Sequence, residues 1–166
     1  ATRGLLSAYR TERPAGWHAL RDSRYYAWRY ENPGWHYRTY LVRADHGVVA
    51  ALVVGRRPEG DRVAVVEALP LSGDRRRIHQ FGALVDRAIA DHPDAAVASV
   101  CGDRLPRDLL ASRGFVGAER WPLSRVTEPA TLAVRPLSDD TPWRADGLSL
   151  DDVDDWALTF AEHDAH

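Results

Sequence analysis

The sequence contains no lysine; all 22 of its basic residues are arginine. A lysine Schiff base and the phosphate-binding lysine of a P-loop are therefore excluded. Arginine without lysine reads as a bias of base composition rather than a functional trait. Methionine is absent too, as expected of a processed or truncated piece of a longer protein. Cys101 is the single cysteine, which excludes an internal disulfide and any multi-cysteine zinc site. Long apolar runs are missing as well. The longest, residues 48–54, has seven residues, against the roughly 20 of a membrane-spanning helix. No positively charged start followed by an apolar stretch marks a signal peptide. These absences predict a soluble, cytoplasmic protein with no membrane partner.

What is present fits one globular domain. The chain has 166 residues, 45% hydrophobic and 28% charged, enough to enclose a sizeable core. Its charge is uneven: residues 1–138 hold 21 arginines against 15 acids, and residues 139–166 hold one against nine. The acidic tail either lies on the basic body or serves solubility.

Hydrophobic spacing predicts the elements. Residues 5–31 read as helical with a break near 13–16. The firmer part is 22–31, stopped by Asn32, Pro33 and Gly34. Residues 37–43, 48–56 and 62–69 read as three strands joined by short turns, an antiparallel meander. The apolar run in the second suits a strand buried on both faces. The period then changes: Ile78, Phe81, Leu84, Val85, Ala88 and Ile89 share one helical face, with Asp74 as candidate N-cap. Residues 95–100 follow by way of that helix and so join the sheet in parallel. Residues 105–113 predict a second helix ending at Gly114. Residues 115–126, 131–135 and 155–161 read as further strands, the last from the alternation of Trp156, Leu158 and Phe160, and residues 136–152 as loop. The predicted class is α/β in the α+β sense: a mixed, mainly antiparallel sheet with helices on both faces.

This order, with its "LLASRGFV" segment before the closing strands, resembles the GNAT superfamily of N-acyltransferases. The run from Tyr25 to Pro33 and the closing "DDWALTFAEHD" are similar to a subset of that family. In that subset, often encoded near polysaccharide-biosynthesis genes, two GNAT-like halves stand in tandem and a Trp-Arg-Tyr helix precedes the second. The resemblance implies an N-terminal helical segment, residues 1–36, packed on a GNAT-like domain spanning 37–166. It implies acyl transfer from acetyl-CoA to a small-molecule amine, with an amino sugar among the acceptors. The cofactor lies where the third strand of the meander and the next parallel strand splay apart. Its pyrophosphate rests on the N–H groups that start the intervening helix, where orphan donors and the helix dipole favour an anion. Here that place holds Leu69, Leu71, Gly73, Asp74, Arg75, Arg76 and Arg77, the expected cofactor-binding residues.

The match is incomplete. The family's Arg-or-Gln position falls on Gly73, its two small residues fall on Arg76 and Ile78, and its usual tyrosine proton donor falls on Leu110. Bulky side chains at 76 and 78 crowd a backbone that must approach the pyrophosphate closely. Arg75, Arg76 and Arg77 either neutralise phosphates or form a solvated face beside Asp74. Glu67, near the end of the third strand, is the expected general base, with a strand-end salt bridge as the other reading. Cys101, Ser99 and Asp103 stand beside the expected cleft; a structural cysteine is the plainer reading. His163, Asp164 and His166 have metal-ligand chemistry but nothing fixes their geometry, so no metal site is expected. Arginines interleaved with Tyr and Trp over residues 21–38 suit single-stranded nucleic acid or helix-on-sheet packing; the net charge of −2 disfavours nucleic acid.

Two functions are therefore carried forward. One is an acyl-CoA-dependent N-acyltransferase using Glu67. The other is a GNAT-like binding or assembly module without catalysis, its cleft filled by another ligand, its own side chains or a second subunit. A homodimer or a preceding domain of a longer chain is the expected protein partner.

Overall fold

The computed structural model describes residues 2–12, 16–71, 77–100, 105–125 and 143–159. It is a mixed, mainly antiparallel sheet with helices on both faces, the expected α+β class. Helices α1 (Thr2–Thr11) and α2 (Ser23–Tyr30) precede strands β1 (His36–Ala44), β2 (Gly47–Arg56) and β3 (Arg62–Leu69). Helix α3 (Ile78–Ala90), strand β4 (Val97–Val100) and helix α4 (Arg107–Ala111) follow. The sheet order is β1-β2-β3-β4, antiparallel except for β3 with β4, which run in parallel as the connecting helix requires.

Each boundary has a local cause. Asp22 caps α2, its carboxylate accepting the Tyr25 N–H at 2.8 Å. Gly47 takes φ +130 where the β1–β2 turn enters β2, a region that L side chains avoid. Pro106 keeps Leu105 out of helical conformation, so α4 starts at Arg107, two residues later than the spacing predicts. Gly114 has φ +81 just beyond α4. Arg77, without a side-chain cap bond, occupies the N-cap position of α3; Asp74, the predicted cap, lies outside the described residues.

The doubly apolar β2 explains the two-sided packing. Ala50, Leu52 and Val54 face α3 and α4, joining Phe81, Leu84, Val85 and Leu109 in one core. Ala51 and Val53 face α1 and α2, joining Leu5, Ala8 and Tyr26 in the other. Val48 joins Ala51 rather than Ala50 because the register shifts by one residue at Val49. Tyr25, Tyr30, Trp35 and Tyr37 pack over Ala64 and Val66 of β3. The aromatic-rich segment therefore serves helix-on-sheet packing.

Three expectations fail. Residues 115–125 form turns and a short 3-10 helix (Leu123–Arg125), not a strand. Gly117 and Pro122 break the run: the Arg120 N–H turns back to the Gly117 carbonyl, and Arg125 to Pro122. Residues 143–152, read as loop, contain a small hairpin of β5 (Arg144–Ala145) and β6 (Leu148–Ser149). Asp146 and Gly147 both have positive φ there, as a primed two-residue turn requires. Residues 155–159 make one bridge, Trp156 with Trp17, instead of a strand in the main sheet. The alternation is real but its phase is inverted: small Ala157 and Thr159 are buried, whereas Trp156 and Leu158 are half-buried. Val126 and residues 131–135 lie outside the described residues.

Candidate functional site

Among the described residues the parallel ladder between β3 and β4 spans four pairs. It pairs Arg62 with Val97, Val63 with Ala98, Ala64 with Ser99 and Val65 with Val100. Strand β3 continues to Leu69. Just past the last described pair with β4, β3 carries a bulge: Val54 of β2 pairs with Val65 but Val53 pairs with Glu67, leaving Val66 as the extra residue. A cleft opens there, lined by residues 65–68, Val100, Leu105 and Thr159. Its free interior is about 10 Å³, room for about one water molecule. Five of its seven lining side chains are aliphatic.

The bulge also decides where Glu67 points. Unbroken alternation would place Glu67 beside Val63 and Val65, on the α3 face. With Val66 inserted, Glu67 turns to the α2 face, where Arg21 and Tyr30 wait. Glu67 and Arg21 are each 1% exposed. The Arg21 Nε–H lies 3.1 Å and 3.2 Å from the two Glu67 carboxylate oxygens. Arg21 also donates from Nη1 to the Ala19 carbonyl at 2.8 Å and from Nη2 to the Thr159 hydroxyl oxygen at 3.4 Å. Tyr30 donates its hydroxyl to Glu67 Oε2 at 3.4 Å, and Thr159 donates to Oε1 at 3.3 Å. Three distant segments thus meet at one carboxylate.

The electrostatics follow. Burial, then the negative charge of Glu67, pushes the Tyr30 phenol well above its ordinary value of 10.0. Tyr26, 2% exposed, is raised for the same two reasons in the same order. Neither phenol is a proton donor to a neutral-pH reaction unless its surroundings change.

The other predicted residues are placed as follows. Leu69 and Leu71 are fully buried in the α1/α2 core, so their side chains serve packing and any ligand would meet backbone groups. Arg77 is paired with Glu12 at the end of α1. Gly73, Asp74, Arg75, Arg76, Cys101, Asp103, His163, Asp164 and His166 lie outside the described residues. Ser99 donates to the Val63 carbonyl at 3.3 Å across the parallel ladder. Leu110 packs against the α3/α4 core. Among the described residues no group of three or more His, Cys, Asp or Glu is disposed to hold a metal ion. Sequence reasoning missed Arg21, Tyr30 and Thr159 as site residues. Thr159 stands 92 positions from Glu67, and no local spacing signals that meeting.

No family model, no curated protein and no solved structure matches the chain.

Proposed function

We propose that this chain is a GNAT-like acyltransferase that takes an acyl group from acyl-CoA and passes it to a small amine, with amino sugars among the candidate acceptors. The reading is carried by one observation: an apolar-lined cleft lies at a bulge in β3, just past the last described pair with its parallel neighbour. An acyl end entering there would meet an aliphatic lining once the cleft widens. Glu67 is the group in that wall able to take up a proton from the amine as the new amide forms and the CoA thiolate leaves. For that role its present bonds to Arg21, Tyr30 and Thr159 must give way in part. The cleft, with room for about one water, would have to widen to admit an acyl end, and the remainder of the cofactor would lie along the outside of the domain.

A second reading is favoured by those same bonds. A carboxylate so completely held suits a structural ion pair in a binding or assembly module without catalysis. Calorimetric titration with acetyl-CoA separates the readings from the start. A micromolar-range site, with acetyl transfer to some member of an amine panel that Glu67→Gln slows at least tenfold, is the expected result. Binding without turnover would select the module, and no heat at millimolar acetyl-CoA would sink the acyltransferase reading for this chain.

A further inference from the structure

Strand β1 forms one edge of the sheet, and among the described residues its backbone bonds to β2 alone. At nine residues the edge is long, against the roughly five or six of a common strand. Exposed edges are ordinarily blunted by proline, by a bulge or by unpaired charge. The strand, HYRTYLVRA, has no proline. The extra residue of the β1–β2 bulge is Val49, on β2, so β1 itself runs regular over its whole length. Arg38 is tied to Asp91 of α3 at 3.1 Å, which leaves Arg43 as the edge's other strong charge. We propose that β1 is a dimer interface: it pairs antiparallel with β1 of a second copy about a two-fold axis at Tyr40, joining the two sheets into one.

Symmetry restricts the register. Two antiparallel copies of one strand, related by a two-fold axis, set one residue opposite itself. With Tyr40 at that centre all nine residues overlap, and a centre at Thr39 or Leu41 shortens the overlap by two. The Tyr40 register is also self-complementary. His36 faces the partner's Ala44, Arg38 the partner's Val42 and Thr39 the partner's Leu41. Tyr37 faces the partner's Arg43, which sets a guanidinium beside an aromatic ring on both sides of the axis. No like charges stand opposite each other, so the arginines that would repel many other strands are accommodated by this one. The helix layers continue across the join as well. Tyr40 and Val42 lie on the α3 side and Leu41 on the α1 side, and opposed residues of an antiparallel pair share a face. Since the contact uses the same edge of both copies, it closes at a dimer. Edge pairing covers less than a standard interface of about 1,200–2,000 Å², which places the dimer at the weak end, half-associated at about 10–100 µM. This inference is independent of the acyltransferase reading.

Sedimentation velocity of the whole chain tests it. The wild type should pass from monomer to dimer between about 10 and 300 µM. His36 and Ala44 are both exposed, and within one copy they stand about 27 Å apart, so charges placed there meet only across the axis. His36→Glu with Ala44→Glu opposes like charges twice and should weaken the dimer about 5- to 30-fold. His36→Glu with Ala44→Arg opposes unlike charges and should associate at least as well as the wild type. A cross-link fixes the register. In a Cys101→Ser background, a mixture of His36→Cys and Ala44→Cys chains should give a disulfide-linked dimer on mild oxidation. Neither chain alone should, because each new cysteine lies about 27 Å from its own copy. If a charge variant fails to fold, the wild-type sedimentation and the cross-link decide. A wild type that stays monomeric at about 300 µM, species larger than a dimer, equal association of the two charge variants, or no cross-link in the mixture would overturn the interface.

Discussion

Arg21 is the residue on which the site most depends. Its guanidinium is fully enclosed and joins β3, the segment before α2 and Thr159. Replacing it with methionine would leave the Glu67 charge buried without its partner, a loss of about 3–5 kcal/mol. Adding Glu67→Leu should recover much of that loss, because the second change removes the stranded charge. Chemical denaturation of the two variants checks this; equal stability of single and double variants would show that the pair is not the relevant unit. The tyrosines give a pH test. Tyr26 and Tyr30 hold their protons in the fold above the ordinary value of 10.0 and lose them on unfolding. Their contribution is therefore complete below about pH 10 and is lost as the pH rises beyond it. Tyrosinate absorbance should show a phase that coincides with loss of the native circular dichroism. Normal titration of all six tyrosines with the fold intact would contradict it. At this scale the sequence singled out Glu67 by its place at the end of an apolar strand, and the structure holds it in an ion pair, the other reading of that glutamate. The sequence did not disclose Arg21 or Thr159, because their role comes from tertiary meeting over 46 and 138 positions.

Elements were legible where local and tertiary preferences agree. Strand β3 runs over the predicted residues, and α2 begins at Ser23, one residue after the predicted start at Asp22, which caps it. Asp22→Ala should cost about 1 kcal/mol, read as a lower denaturation midpoint without a change in slope; no shift would mean that tertiary packing alone sets the start of α2. Legibility failed for three reasons. Residues 115–125 contain strand-forming residues but Gly117 and Pro122 turn the chain. The Asp146-Gly147 pair is a hairpin signal, but it sits within a polar, loop-like stretch whose strands are only two residues long. The segment at 155–159 alternates, but large Trp156 marks the less buried side, so side-chain size misled the choice of face. The bulge at Val66 leaves no mark in composition, and it is what turns Glu67 toward Arg21.

At the scale of the molecule, the two helix layers enclose a four-stranded sheet whose parallel pair spans four positions among the described residues. No described helix is long and apolar enough to cross a membrane. The acidic end of the chain touches the body through backbone groups at Trp17 and through Thr159. The central proposal is that the gap between β3 and β4 receives an acyl group from acyl-CoA. The most direct test is backbone amide NMR of the isotope-labelled protein during addition of acetyl-CoA. The proposal predicts saturable shifts concentrated at residues 65–68, Val100 and Leu105, weaker with free CoA than with the acetylated form. Shifts confined to other surfaces, or none at millimolar cofactor, would contradict it.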